Sequence, residues 1–200
     1  MKPAVLLVCR LPDALGSRLR ERFDCHELAQ LDSTALEALA PRLRGMVASG
    51  ESIVGRELIA RLPALEIISV LGVGYDGIDI AAAREQGVCV THTPGLSTED
   101  IADFALALLL AAAREVVNAD RFVRSGEWAS GRYPMTRRVS GARMGIVGLG
   151  RIGRAVATRA LAFGMDIAYT GRTPKADVPY RWCSDARSLA ASVDFLVVCA

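Results

Sequence analysis

The chain has 200 residues, 52% of them hydrophobic and 23% charged, which suits a soluble globular protein with one large core or two modest ones. Its 24 Lys plus Arg stand against 22 Asp plus Glu, a balance too even for a nucleic-acid-binding or anionic-membrane surface. The most apolar stretch, Phe104 to Ala113, is flanked by Asp100, Asp103 and Arg114 and falls well short of the ~20 residues of a membrane span.

The short apolar run Ala4 to Cys9 is followed at once by Arg10 and Pro12, which does not fit a signal peptide, so a cytoplasmic protein that starts as the mature chain is expected. Cys9, Cys25, Cys89, Cys183 and Cys199 are odd in number and scattered, three of them inside apolar strand-like runs. They are expected to be reduced core residues.

Strand-like and helical patterns alternate from the start. Ala4 to Val8 reads as strand, Asp13 to Phe23 and Thr34 to Leu39 as helices, Gly45 to Ser49 as strand and Arg56 to Arg61 as helix. Ile67 to Leu71 is a β-branched strand, Ile80 to Gln86 an Ala-rich helix stopped by Gly87, and Val88 to Thr91 a further short strand. Such alternation implies right-handed βαβ units and a parallel sheet.

Thr93-Pro94-Gly95 breaks the rhythm, and the boundary between domains 1–95 and 96–200 is placed there. Ser97, with Asp100 three residues on, is a candidate capping pair for a long helix running to about Val117. That helix is apolar nearly all round, so cover on more than one side is expected, with a second subunit as one source and a homodimer as the result. Ala119 to Gly126 reads as a short helix, Glu127 to Gly141 as loop, and a second α/β unit begins at Arg143. The closing run Asp194 to Ala200 reads as a buried strand, and doubly wound sheets usually continue past such a point. The chain is therefore expected to be the front part of a longer protein.

Met144 to Val147 leads as a strand into Gly148-Leu149-Gly150-Arg151-Ile152-Gly153, followed by the helical run Arg154 to Phe163. In that context each glycine has a role: Gly148 for the tight turn, Gly150 for close approach of backbone N–H groups to a pyrophosphate, and Gly153 for close packing of helix on strand. The helix N-terminus adds partial positive charge for the phosphates.

The next strand, Asp166 to Thr170, leads into Gly171-Arg172-Thr173-Pro174-Lys175 at the position that meets the adenosine ribose, with no acid there. A carboxylate would accept from the 2′-OH of NAD and repel a 2′-phosphate; Arg172, Thr173 and Lys175 suit the phosphate instead. NADP(H) is thus the expected cofactor, with NAD(H) the weaker alternative. Asp166 belongs at the opposite end of the sheet and Asp177 too far along the chain to contribute. The competing reading makes Arg172 and Lys175 ordinary solvated loop charges.

Gly72-Val-Gly-Tyr-Asp76, Val90-Thr-His-Thr-Pro94, Thr98-Glu-Asp-Ile-Ala-Asp103 and the glycine loop, in this order and spacing, resemble the D-isomer-specific 2-hydroxyacid dehydrogenases. Tyr169 to Arg172 and Phe122 to Trp128 resemble the branch of NADPH-preferring glyoxylate, hydroxypyruvate and hydroxyphenylpyruvate reductases. The resemblance implies a flavodoxin-like substrate domain, completed by a C-terminal segment, and an inserted Rossmann dinucleotide-binding domain. It also implies reduction of a small 2-keto acid to a D-2-hydroxy acid.

By the same resemblance the backbone N–H groups of Val73 and Gly74 hold the substrate carboxylate, and Thr98 lies near the cofactor. Leu149, Gly150, Arg151 and Ile152 form the pyrophosphate turn, and Cys199 and Ala200 begin the loop beneath the adenine. The family's catalytic Arg, Glu and His are expected beyond residue 200, so none is assigned here, and neither His26 nor His92 substitutes; surface or hinge roles are expected for both. No metal is expected. Two alternatives resemble the same fold: a non-enzymatic corepressor-like module binding NAD(P)H and peptides, and an NAD-dependent phosphoglycerate or phosphite dehydrogenase. Both are disfavoured by the acid-free turn after Thr170.

Overall fold

The computed structural model describes residues 2–199. The chain divides into two compact units, Met1–Gly95 and Leu96–Ala200.

The first unit runs β1 (Ala4–Leu7), α1 (Asp13–Arg22), β2 (Asp24–Glu27), α2 (Ser33–Leu39), β3 (Leu43–Ser49), α3 (Arg56–Ala60), β4 (Ile67–Leu71), α4 (Ile80–Glu85) and β5 (Cys89–Thr91). The five strands are all parallel in the order β2-β1-β3-β4-β5, the flavodoxin-like arrangement. Alternation decides what is buried: in β4, Ile68 and Val70 point into a core with Leu6, Met46, Ile59 and Leu62, while Ile67 and Leu71 stay partly exposed. Asp32 and Asp79 start α2 and α4 by accepting from the Ala35 and Ala82 N–H groups at 2.8 Å.

The second unit runs α5 (Thr98–Ala113), α6 (Val116–Arg124), β6 (Arg143–Val147), α7 (Arg151–Ala162), β7 (Asp166–Thr170), β8 (Arg181–Cys183), α8 (Ala186–Ala191) and β9 (Phe195–Val198). Its sheet is parallel in the order β8-β7-β6-β9, the first strands of a Rossmann sheet. The core joins Met144, Ile146 and Tyr169 from the strands to Val156 and Ala160 of α7 and Ala102 and Leu106 of α5. Arg159 of α7 ties the two helices together by bonding the Glu99 and Asp103 carboxylates of α5 at 2.8 and 2.5 Å.

Several expectations need correction. The long helix does not reach Val117: it stops at Ala113, Glu115 takes a left-handed conformation (φ 52°), and a separate α6 follows. The Tyr133 hydroxyl donates to the Glu115 carboxylate at 2.8 Å, which helps to hold the break. Ser97 makes no side-chain capping bond, so the Ser97–Asp100 pair is not what starts the helix.

Within the described chain α5 is covered on one side only. Ala102, Leu106, Leu109 and Ala113 are buried, whereas Ile101, Phe104 and Leu108 are exposed. The cysteines are all free, yet of the five only Cys183 is buried; Cys9, Cys25 and Cys199 are half-buried and Cys89 is exposed. No helix among the described residues is long and apolar enough to cross a membrane.

Candidate functional site

The glycine turn joins β6 to α7. Gly148 takes φ 90°, a conformation open to glycine, and its N–H donates to the Thr170 carbonyl at 2.9 Å, which pins the turn to the end of β7. Gly153 lies against the strand so closely that a β-carbon would overlap the Gly148 carbonyl oxygen and sit 3.1 Å from the Ile146 methyl. Above Gly150 a β-carbon would meet nothing within 4 Å. Gly150 is the cap of α7, so the first-turn N–H groups of Arg151, Ile152 and Gly153 have no helical partner and are free to donate to an anion. Leu149 is buried and anchors the turn from below.

The β7 end lies beside this turn. Tyr169 is buried, and its hydroxyl accepts from the Lys175 N–H at 2.6 Å, while the Gly171 carbonyl receives the Trp182 indole N–H at 3.4 Å. Between these anchors Arg172 and Thr173 are exposed. Arg151, Arg172 and Lys175 form no ion pair among the described residues, in contrast to Arg143, Arg154 and Arg159, each of which is tied to a carboxylate.

Asp177, in the segment after β7, pairs with α7. Arg154 in the first turn of α7 holds it at 2.9 and 3.1 Å, and the hydrogen bond from that guanidinium lowers the carboxyl's pKa and raises the arginine's. The fold joins Asp177 to Arg154, a pairing that their separation in the sequence does not disclose. Asp166 is at the far end of β7, in register with Arg143.

Cys199 follows β9 directly, its N–H donating to the Val147 carbonyl at 2.8 Å, and burial pushes its thiol pKa up. It thus stands next to the strand that feeds the glycine turn, whereas Ala200 lies outside the described residues. Thr98 opens α5 and makes no hydrogen bond to the glycine turn among the described residues. No cluster of three or more His, Cys, Asp or Glu that could hold a metal ion occurs among the described residues.

In the first unit β4 ends at a second backbone turn. Gly72 takes φ 123°, and its carbonyl accepts from both the N–H and the hydroxyl of Thr93 at 2.9 Å. The Val73 carbonyl lies 2.9 Å from His92 Nδ1, so that nitrogen carries the ring proton and donates. The His92 ring also meets Tyr75 edge-on, with centroids 4.9 Å apart. Both carbonyls are thereby occupied, and the adjacent N–H groups of Val73 and Gly74 make no hydrogen bond among the described residues. Two neighbouring unpaired donors at a strand end are groups that an anion could accept from.

His92 therefore supports this turn, a role its sequence context did not disclose. His92 is exposed, whereas His26 is half-buried on β2, with Nε2 3.2 Å from Asp24 but out of line for a hydrogen bond.

A parallel half-sheet with a glycine turn, a helix N-terminus and cations after its second strand has the form of a Rossmann dinucleotide-binding unit, and the other unit has the flavodoxin-like strand order. Residues 106–200 match the family described as D-isomer specific 2-hydroxyacid dehydrogenase, NAD binding domain. The chain is 41% identical over 196 residues to glyoxylate/hydroxypyruvate reductase A of Arabidopsis thaliana, covering 97% of this chain and 63% of that protein.

Among solved structures it is similar to a 2-hydroxyacid dehydrogenase from Ketogulonicigenium vulgare, with TM-score 0.93, 42% identity, and coverage of 99% of this chain and 64% of that one. A dehydrogenase from Rhizobium meliloti gives TM-score 0.82 and 38% identity, covering 97% of this chain and 69% of that one. The NADPH-dependent glyoxylate/hydroxypyruvate reductase of Sinorhizobium meliloti, solved with NADP and malonate, gives TM-score 0.85 and 33% identity over 100% of this chain and 63% of that one. The chain belongs to the D-isomer-specific 2-hydroxyacid dehydrogenase family. It spans about 63% of the length of the Arabidopsis reductase.

Proposed function

We propose that this chain carries the substrate unit, Met1–Gly95, and the dinucleotide unit, Leu96–Ala200, of an NADPH-dependent reductase that converts small 2-keto acids such as glyoxylate or hydroxypyruvate to D-2-hydroxy acids. The observation that carries the cofactor preference is the guanidinium of Arg172, exposed and unpaired among the described residues at the end of β7, where an NAD-specific site would set a carboxylate. Thr173 and Lys175 add a hydroxyl and a second cation to a 2′-phosphate site.

The first turn of α7 and the N–H groups of Gly150, Arg151 and Ile152 bind the diphosphate, and the space above Gly150 admits it. Thr98 and Cys199 line the same dinucleotide. Once bound, the dinucleotide supplies a hydride. The Val73 and Gly74 N–H groups grip the keto acid's carboxylate, an orientation that leaves the 2-keto carbon free to react.

The reductase from Sinorhizobium meliloti, described as NADPH-dependent and solved with NADP and the dicarboxylate malonate, supports both halves of this reading. A homodimer in which a second copy covers Ile101, Phe104 and Leu108 on α5 accounts for the exposure of these residues. The test is NADPH and NADH oxidation by the whole protein with glyoxylate and hydroxypyruvate. Turnover with NADPH and either acid is expected, and no turnover with any 2-keto acid rejects the reading. Light scattering that finds a monomer removes the dimer.

A further inference from the structure

Between Gly171 and Tyr180 the chain has a single carboxylate, Asp177, in the same segment as Arg172 and Lys175. A free anion there would oppose a 2′-phosphate by like-charge repulsion. It is not free: the Arg154 guanidinium holds both of its oxygens, at 3.1 and 2.9 Å. The same segment is fixed from its other side by the Lys175 N–H on the buried Tyr169 hydroxyl. Arg154 issues from the first turn of α7, the turn that also presents the glycine-loop donors.

From this juxtaposition we infer that Arg154 is a specificity-determining positioning residue: it neutralises Asp177 and latches the segment after β7 to α7, so that Arg172 and Lys175 face a 2′-phosphate without a competing anion. The inference rests on the reading of that segment as a 2′-phosphate site. Arg154 itself does not touch the phosphate. An ordinary surface ion pair would stabilise the fold a little and leave ligand choice unchanged, so ligand choice is what separates the two roles.

The test uses the 200-residue chain and two probes of the adenosine half, adenosine 2′,5′-bisphosphate and 5′-AMP, titrated by calorimetry. Arg154→Gln is expected to weaken the bisphosphate roughly three- to fivefold, the scale of one partly exposed charge interaction, and to leave 5′-AMP unchanged. The loss should shrink as salt is raised. Adding Asp177→Asn to Arg154→Gln should restore binding, and Asp177→Asn alone should not weaken it.

Equal loss for both nucleotides, or no recovery in the double variant, overturns the inference, as does a wild-type preference that Arg154→Gln leaves intact. A wild-type chain that binds both nucleotides alike removes the cofactor reading itself, a different and distinguishable failure. Circular dichroism melts of each variant establish that it is folded before it is titrated.

Discussion

A β-carbon on Gly153 would overlap the carbonyl oxygen of Gly148, so the last glycine of the turn lies close against the first. That contact sets how deeply α7 sits on β6, and so where its N-terminus points. A methyl at position 153 has backbone on one side and the Ile146 methyl on the other, neither of which can swing away. Gly153→Ala is expected to destabilise the Leu96–Ala200 unit by about 1–3 kcal/mol through overpacking, and to weaken NADPH and NADH alike. Chemical denaturation with dinucleotide titration checks both; a stable variant with intact affinity would show that the contact does not fix the turn.

Arg172→Ala addresses cofactor choice without touching the fold, because the side chain is exposed and has no ion-pair partner among the described residues. Loss of one charge-assisted contact should weaken NADPH roughly ten- to a hundredfold and spare NADH. Parallel loss of both cofactors would return Arg172 to the status of a solvated loop charge.

The anion turn of the first unit offers a separate handle. Thr93→Val keeps the N–H bond to the Gly72 carbonyl and removes the hydroxyl bond, and His92→Ala frees the Val73 carbonyl. Each removes one hydrogen bond worth about 0.5–1.5 kcal/mol, and each should raise KM for the keto acid roughly two- to tenfold with NADPH affinity unchanged. Unaltered KM in both variants would detach this turn from substrate binding.

These residues also mark how far the sequence was legible. The glycine turn reads directly because its requirements are local: a β-branched strand, three glycines at fixed spacing and a helix. Strand and helix alternation likewise yields most of both parallel sheets. The break at Glu115 does not, since a non-glycine residue in the left-handed region carries no signature in the sequence. β8 escapes notice because Arg181–Cys183 is too short for a period-two pattern and begins with a charge.

Tertiary pairings are hidden for a different reason. Arg154 and Asp177 are 23 residues apart, and only the return of the chain along β7 brings the carboxylate over the first turn of α7. His92 reads as a crossing residue until the fold lays its ring on the Val73 carbonyl. Core assignment of the cysteines holds only for Cys183, because strand character says nothing about what packs over each face of the strand.

The last prediction concerns acid. Asp194 precedes β9, and its carboxylate accepts from the Arg143 backbone N–H at 2.9 Å and from Arg143 Nε and Nη2 at 3.0 and 2.9 Å; the Asp194 N–H returns a bond to the Arg143 carbonyl at 2.9 Å. These hydrogen bonds clamp the start of β9 to the start of β6 and hold the carboxyl far below its ordinary value of 3.8. A lowered folded-state pKa means that the unfolded chain takes up the proton more readily, so stability rises with pH across the interval between the two values. The clamp is therefore fully present above the ordinary value and is lost as pH falls below it, toward the depressed one. Asp194→Asn should lower the melting temperature at neutral pH by roughly 2–4 °C. That gap should stay constant from pH 7 to about 5 and close as the pH drops below about 4. A gap that persists unchanged to the lowest pH at which the chain stays folded would mean that Asp194 acts through shape and not through its charge.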